Sequence, residues 1–86
     1  RVAVLADEFG VQVIPHSPYF GPGFLATLHL MAIRDAGLIE VFFMKRPACL
    51  WGERIAVDAH GHVAVPQGPG LGYEPDRDVM AKYRVA

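Results

Sequence analysis

The sequence predicts an α/β fold organised around one βα unit of a parallel sheet, and consecutive stretches of the chain carry that expectation. Residues 11–14, VQVI, read as a short apolar strand that stops at Pro15. A loop follows, with His16, Ser17, Pro18, Tyr19 and Phe20 leading to Gly-Pro-Gly at 21–23. A helical pattern then runs from Gly23 to Asp35, Gly37 ends it, and residues 38–43, LIEVFF, read as a second buried strand. Strand, crossover helix and strand make a βαβ unit, which is right-handed in nearly all proteins. Parallel sheets place their chemistry beyond the carboxyl ends of the strands, so the loop carrying His16 is where a site belongs.

The remaining elements follow in order. Val2, Leu5, Ala6 and Phe9 repeat at i, i+3, i+4 and i+7, the pattern of an amphipathic helix over residues 1–9. No capping residue precedes Arg1, so this helix is expected to start upstream, and Gly10 suits its left-handed stop. In the crossover helix, Phe24, Leu28, Met31 and Ala32 share one face, with Ala26, His29 and Ile33 outside its centre. Residues 44–53 read as a loop with one large aromatic, Trp51. Ile55, Val57, Val63 and Val65 flank Asp58-Ala59-His60-Gly61, the pattern of a hairpin. The stretch 66–72, PQGPGLG, is too rich in glycine and proline for a regular element. Asp76 is a suitable N-cap for a terminal helix over 77–83.

Composition narrows the class. With 86 residues, 52% of them hydrophobic and a formal net charge of -1, the chain has neither the polarity of a disordered tail nor the charge bias of a nucleic-acid or membrane-surface binder. No apolar run approaches the roughly 18 residues of a membrane span. The single cysteine, Cys49, excludes an internal disulfide and fits a reducing, cytoplasmic setting. Strands that are apolar along most of their length belong to sheets covered on both faces. One crossover helix does not cover both faces, so the chain is expected to assemble with other chains or to be the end of a longer one.

His16 is the leading chemical candidate because of its place: it follows a buried strand, sits between prolines and is of a residue type that can accept or donate a proton. The alternative is a loop histidine that only hydrogen-bonds backbone. Glu40 is a carboxylate within an apolar strand. Either it faces the same pocket as His16, or it pairs structurally with Arg34, Lys45 or Arg46. His29 reads as a packing or surface residue, His60 and His62 as turn residues, and Cys49 as buried. The His-Gly-His spacing lacks the further ligands of a zinc site, and PQGPGLG lacks the Lys-Ser/Thr of a phosphate loop. Tyr19 and Phe20 are either pocket wall or core.

LADEFGVQVIPHS, ATLHLMA, IEVFF and GHVAVPQGPGLGYEPDRDVMAKY, in that order, resemble the end of a mandelate racemase-like member of the enolase superfamily (the mandelate racemase/muconate lactonizing enzyme family). The resemblance implies the C-terminal part of a (β/α)7β TIM-like barrel, holding its last two strands over 1–53. A hairpin, PGLG turn and short helix over 54–86 would return to a capping domain. It implies an enzyme that removes the proton next to a carboxylate, with Mg²⁺ stabilising the enediolate. His16 matches the acid/base histidine of the seventh strand. Glu40 is similar in place to the glutamic acid that hydrogen-bonds the substrate carboxylate, and Tyr19 and Phe20 are placed as substrate-wall residues. The metal ligands and the aspartate that partners the histidine lie elsewhere in such proteins, so this chain by itself is expected to hold no catalytic metal and to be inactive.

The resulting expectation is part of an acid-sugar dehydratase, with a 2-hydroxy-acid racemase or epimerase as the alternative within the family. Outside it, the alternative is a non-catalytic association module. The expected partners are a small carboxylate or acid sugar, the rest of the same protein, and further copies in a homo-oligomer.

Overall fold

The computed structural model describes residues 1–18, 20–34, 37–42, 44–51 and 54–85. Among them the regular elements are α1 (Val2–Glu8), α2 (Pro22–Arg34) and α3 (Arg77–Lys82). The helical periodicities are therefore realised, with small shifts at the ends.

α1 stops as its sequence dictates. Gly10 takes φ 64°, its N–H donates to the Asp7 carbonyl at 3.0 Å, and the Val11 N–H reaches back to Ala6 at 2.8 Å. These are the paired bonds of a Schellman stop, and the left-handed residue they need is most easily a glycine. At its other end Arg1 makes no side-chain cap, as its residue type requires. The amphipathic face of α1 is not buried: Val2 is 77% exposed and Phe9 76%. No described segment of the chain lies over it.

α2 supplies the core. Phe24, Leu25 and Leu28 pack with Trp51, and Ile39, Val41, Cys49, Ile55, Val63, Val65 and Tyr73 close around them. Burying each large aliphatic side chain contributes about 1.5–3 kcal/mol, so α2 is the main source of stabilisation. One face residue differs from expectation. Leu25 is fully buried while Ala32 is exposed, because the covering loop and hairpin approach the amino-terminal half of the helix. The core draws on residues before and after position 53.

The apolar stretches at 11–14 and 38–42 form no β-ladder among the described residues, and Phe43 lies outside them. The one bridge among the described residues is antiparallel, Val57 to Val63. A parallel strand is stable when neighbours pair both edges and helices cover both faces, and this chain offers those segments little of either. They are joined instead by hydrogen bonds between Ser17 and Glu40.

The hairpin turn forms as read. Asp58 N–H donates to His62 at 2.8 Å, Gly61 N–H donates to Asp58 at 3.1 Å, and Gly61 has φ 82°, the geometry of a turn closed by a left-handed glycine. In the stretch 66–72, Gly72 has φ 88°, and a Cβ there would meet the Pro66 Cβ at 2.2 Å. α3 is capped by Asp76, whose Oδ1 accepts from Asp78 N–H at 2.9 Å and Val79 N–H at 3.0 Å. The Asp76 N–H donates to Leu50 at 2.7 Å, tying this tail to the 46–51 loop. The helix ends at Lys82, one residue before the expected Tyr83.

Candidate active site

The loop from Pro15 to Pro18 hands His16 out of the apolar stretch. Proline lacks an N–H and fixes φ, so the two prolines stiffen the loop and leave His16 and Ser17 as its backbone donors. Ser17 is fully buried. Its N–H donates to Glu40 Oε2 at 3.1 Å, and its hydroxyl lies 3.1 Å from the Glu40 carbonyl.

Next to it, His16 Nδ1 lies 2.9 Å from the same Glu40 Oε2, with the two side chains 83% and 37% exposed. The two residues singled out from sequence thus meet, and the exposure leaves the imidazole accessible to a solute. A carboxylate accepts only, so Nδ1 carries the shared proton. In the neutral ring Nε2 then keeps the lone pair. This arrangement suits a general base that later returns its proton.

Of the three cations proposed as structural partners of Glu40, Arg34 and Arg46 are engaged elsewhere. Arg34 Nη2 pairs with Asp7 Oδ1, linking α2 to α1. Arg46 lies over the Phe20 ring, 4.5 Å from its centroid. Phe20 also meets Phe42 edge to face at 5.6 Å, which makes it part of an aromatic and cationic cluster. That cluster borders a cleft of about 1110 Å³ between the 46–50 loop and the tail, lined by Phe20, Arg46, Leu50, Pro75, Met80 and Tyr83. The cleft is mainly apolar, and neither His16 nor Glu40 lines it. A large opening is therefore not where the polar chemistry sits. Tyr19 lies outside the described residues.

The other histidines stay away from this pair. His29 Nε2 is 3.3 Å from the Leu71 carbonyl, to which it donates as the Nε2–H tautomer. His60 and His62 are on the hairpin, and the N–H groups of both donate to Asp58 Oδ1 at 2.8 Å. The His62 bond first, then the His60 bond, hold the Asp58 carboxyl below its ordinary value of 3.8. Cys49 is half-buried beside the core. Trp51 is buried, and its Nε1 finds no acceptor among the described residues.

Magnesium takes a shell of oxygen ligands in octahedral geometry. Among the described residues no group of three or more His, Cys, Asp or Glu is placed to hold a metal ion. One carboxylate already shared by an imidazole and an amide does not fit that shell.

Sequence reasoning passed over Ser17. The signal was present, a small hydroxyl between His16 and Pro18, but which acceptor it reaches depends on a residue 23 positions away.

A carboxylate-backed imidazole on a loop entering a helix is an arrangement capable of acid/base chemistry. The chain belongs to the enolase C-terminal domain-like family, whose model matches residues 1–79. Membership implies a TIM-barrel-type α/β fold. The chain is 30% identical to an arabinonate dehydratase of Saccharolobus solfataricus, over 98% of this chain and 23% of the relative. It is 31% identical to a D-galactarolactone cycloisomerase of Agrobacterium fabrum, over 99% of this chain and 25% of that protein. A D-gluconate dehydratase of Thermoproteus tenax is 32% identical, over 98% of this chain and 18% of its own length. The chain thus spans a quarter or less of these relatives. No solved structure matches it significantly. No helix among the described residues is long and apolar enough to cross a membrane.

Proposed function

We propose that this chain carries the acid/base histidine of an enolase-superfamily enzyme that dehydrates acid sugars. The observation supporting this is the 2.9 Å contact of His16 Nδ1 with Glu40 Oε2, which sets the imidazole up to accept a proton at Nε2. Two of the relatives are named as dehydratases of sugar acids, arabinonate and D-gluconate, and the same substrate class is proposed here.

In this reading His16 takes the proton from the carbon next to the substrate carboxylate. His16 then returns the proton to the β-hydroxyl, which leaves as water, and the enol left behind tautomerises to a 2-oxo acid. Glu40, whose Oε2 lies 2.9 Å from His16 Nδ1, is proposed to face the same substrate, in the place of the glutamic acid that hydrogen-bonds the substrate carboxylate. Phe20, with Arg46 over its ring, is proposed as wall. The Mg²⁺ expected from the resemblance would be held by residues other than those described, and no step here is routed through it.

Residues 1–53 are proposed as the end of the barrel, with its last two strands paired in the complete protein, and 54–86 as the hairpin and tail toward a capping domain. The rest of the polypeptide and further copies of it are the proposed partners. A racemase or epimerase would use the same His16 with a second base on the opposite face. The likeness to a named cycloisomerase keeps that isomerising reading in view.

The test is turnover by the complete protein on a panel of aldonates and aldarates with Mg²⁺, followed by 2-oxo acid formation. His16→Asn is expected to lower kcat by about 10²–10⁴-fold, the usual worth of a general acid/base. Unchanged turnover in that variant overturns the proposal, and interconversion of epimers without loss of water selects the racemase reading.

A further inference from the structure

We infer that Arg46 is a specificity-determining residue that takes the far carboxylate of a diacid substrate, so that the site prefers aldarates to aldonates. The inference rests on the acid/base reading of His16 and narrows the substrate class of that site.

The segments that bring His16 Nδ1 within 2.9 Å of Glu40 Oε2 meet again further along. There the Phe20 ring touches Phe42 edge to face, with centroids 5.6 Å apart. The aromatic pair therefore continues the seam that the polar pair begins. In an extended chain, alternate residues such as Glu40 and Phe42 face one side and stand about 7 Å apart. In the complete protein, with these stretches paired as neighbouring strands, both contacts fall toward the carboxyl ends of those strands. That is the side of a parallel barrel where substrates bind.

Arg46 closes the seam at its aromatic end. Its guanidinium carbon lies over the Phe20 ring, 4.5 Å from the centroid, and the residue is exposed. Arginine stays charged across the working pH range, and resting on a ring engages the face of its guanidinium while the N–H donors lie at the edge. Those donors match the oxygens of a carboxylate in pairs. The ring also restrains a long side chain, which reduces the entropy lost when an anion binds. The seam thus has the base and Glu40 at one end and a held cation at the other. A diacid with its near carboxylate by Glu40 sets its far carboxylate against Arg46, where an aldonate offers a hydroxyl.

The test is steady-state kinetics of the complete protein with Mg²⁺ on each aldarate and the aldonate of the same configuration, which differ in the oxidation of the far carbon. The aldarate is expected to have the higher kcat/KM. Arg46→Met keeps the side-chain length and removes the charge. It is expected to lower the aldarate-to-aldonate ratio of kcat/KM about 10–100-fold, the usual worth of a hydrogen bond to a charged group, and to do so through KM. Arg46→Lys, which keeps the charge without the planar fork, is expected to recover part of that ratio.

An unchanged ratio in Arg46→Met overturns the inference, and is the result if Arg46 serves to pair with a carboxylate of the remaining polypeptide. A binding measurement on the unmutated protein requires neither a folded variant nor turnover. Calorimetry with Mg²⁺ present is expected to show adipate bound about tenfold or more tightly than hexanoate, and equal affinities also overturn the inference. Failure here is distinct from failure of the acid/base reading. The latter shows as full turnover in His16→Asn, whatever the substrate preference.

Discussion

Asp58 shows how one side chain holds a turn together. Its Oδ1 accepts from both His60 and His62 at 2.8 Å, and these backbone bonds, His62 first, lower its pKa from the ordinary 3.8. A carboxyl lowered in the folded state adds stability that is fully present above its unfolded value, and loses it as pH falls through the folded value. The hairpin is therefore expected to keep its amide protection down to about pH 4 and to lose it below that. Amide exchange at His60 and His62 against pH measures this. Asp58→Asn should weaken protection at neutral pH and flatten the acid dependence, and an unchanged acid limb in that variant would count against the carboxylate as its cause.

The stretch between hairpin and α3 depends on close approach. A Cβ on Gly72 would meet the Pro66 side chain at 2.2 Å, and the residue sits at φ 88°. Gly72→Ala therefore combines a steric clash with a disfavoured backbone, and is expected to cost about 1–3 kcal/mol. Chemical denaturation reads that loss, and Gly37→Ala is the control, since a Cβ there meets nothing within 4 Å. The α3 cap works in the same neighbourhood: Asp76 accepts from two N–H groups of the first turn, and losing such a cap costs about 1 kcal/mol.

Much apolar surface of the whole molecule faces outward. Val2, Phe9, Ile33 and Leu38 are 77%, 76%, 83% and 59% exposed, far more than scattered surface residues require. A core of this size gives a chain of 86 residues little stability to spare. The 86-residue chain alone is expected to bind a hydrophobic dye and to associate as concentration rises, read by fluorescence and sedimentation velocity. A monomer with a sharp thermal transition and no dye binding would instead support a self-sufficient module.

Local chemistry explains what could be read from residue order. The helices were legible because a helix is made by its own neighbours: the apolar repeat of α2, Gly10 after α1 and Asp76 before α3 each act within a few positions. The hairpin turn followed from Asp58 and Gly61 for the same reason. His16 was legible as a candidate because the chain changes from apolar strand pattern to proline-bounded loop at that point, and Glu40 because a carboxylate interrupts LIEVFF. Tertiary structure decided the rest. It selected Leu25 over Ala32 for the core, because burial depends on what arrives to cover a face. It left the 11–14 and 38–42 stretches without a ladder among the described residues, because pairing needs neighbours that no local pattern supplies. It also placed Ser17 and His16 on one oxygen of Glu40, a contact across more than twenty residues that only the path of the chain through space could set.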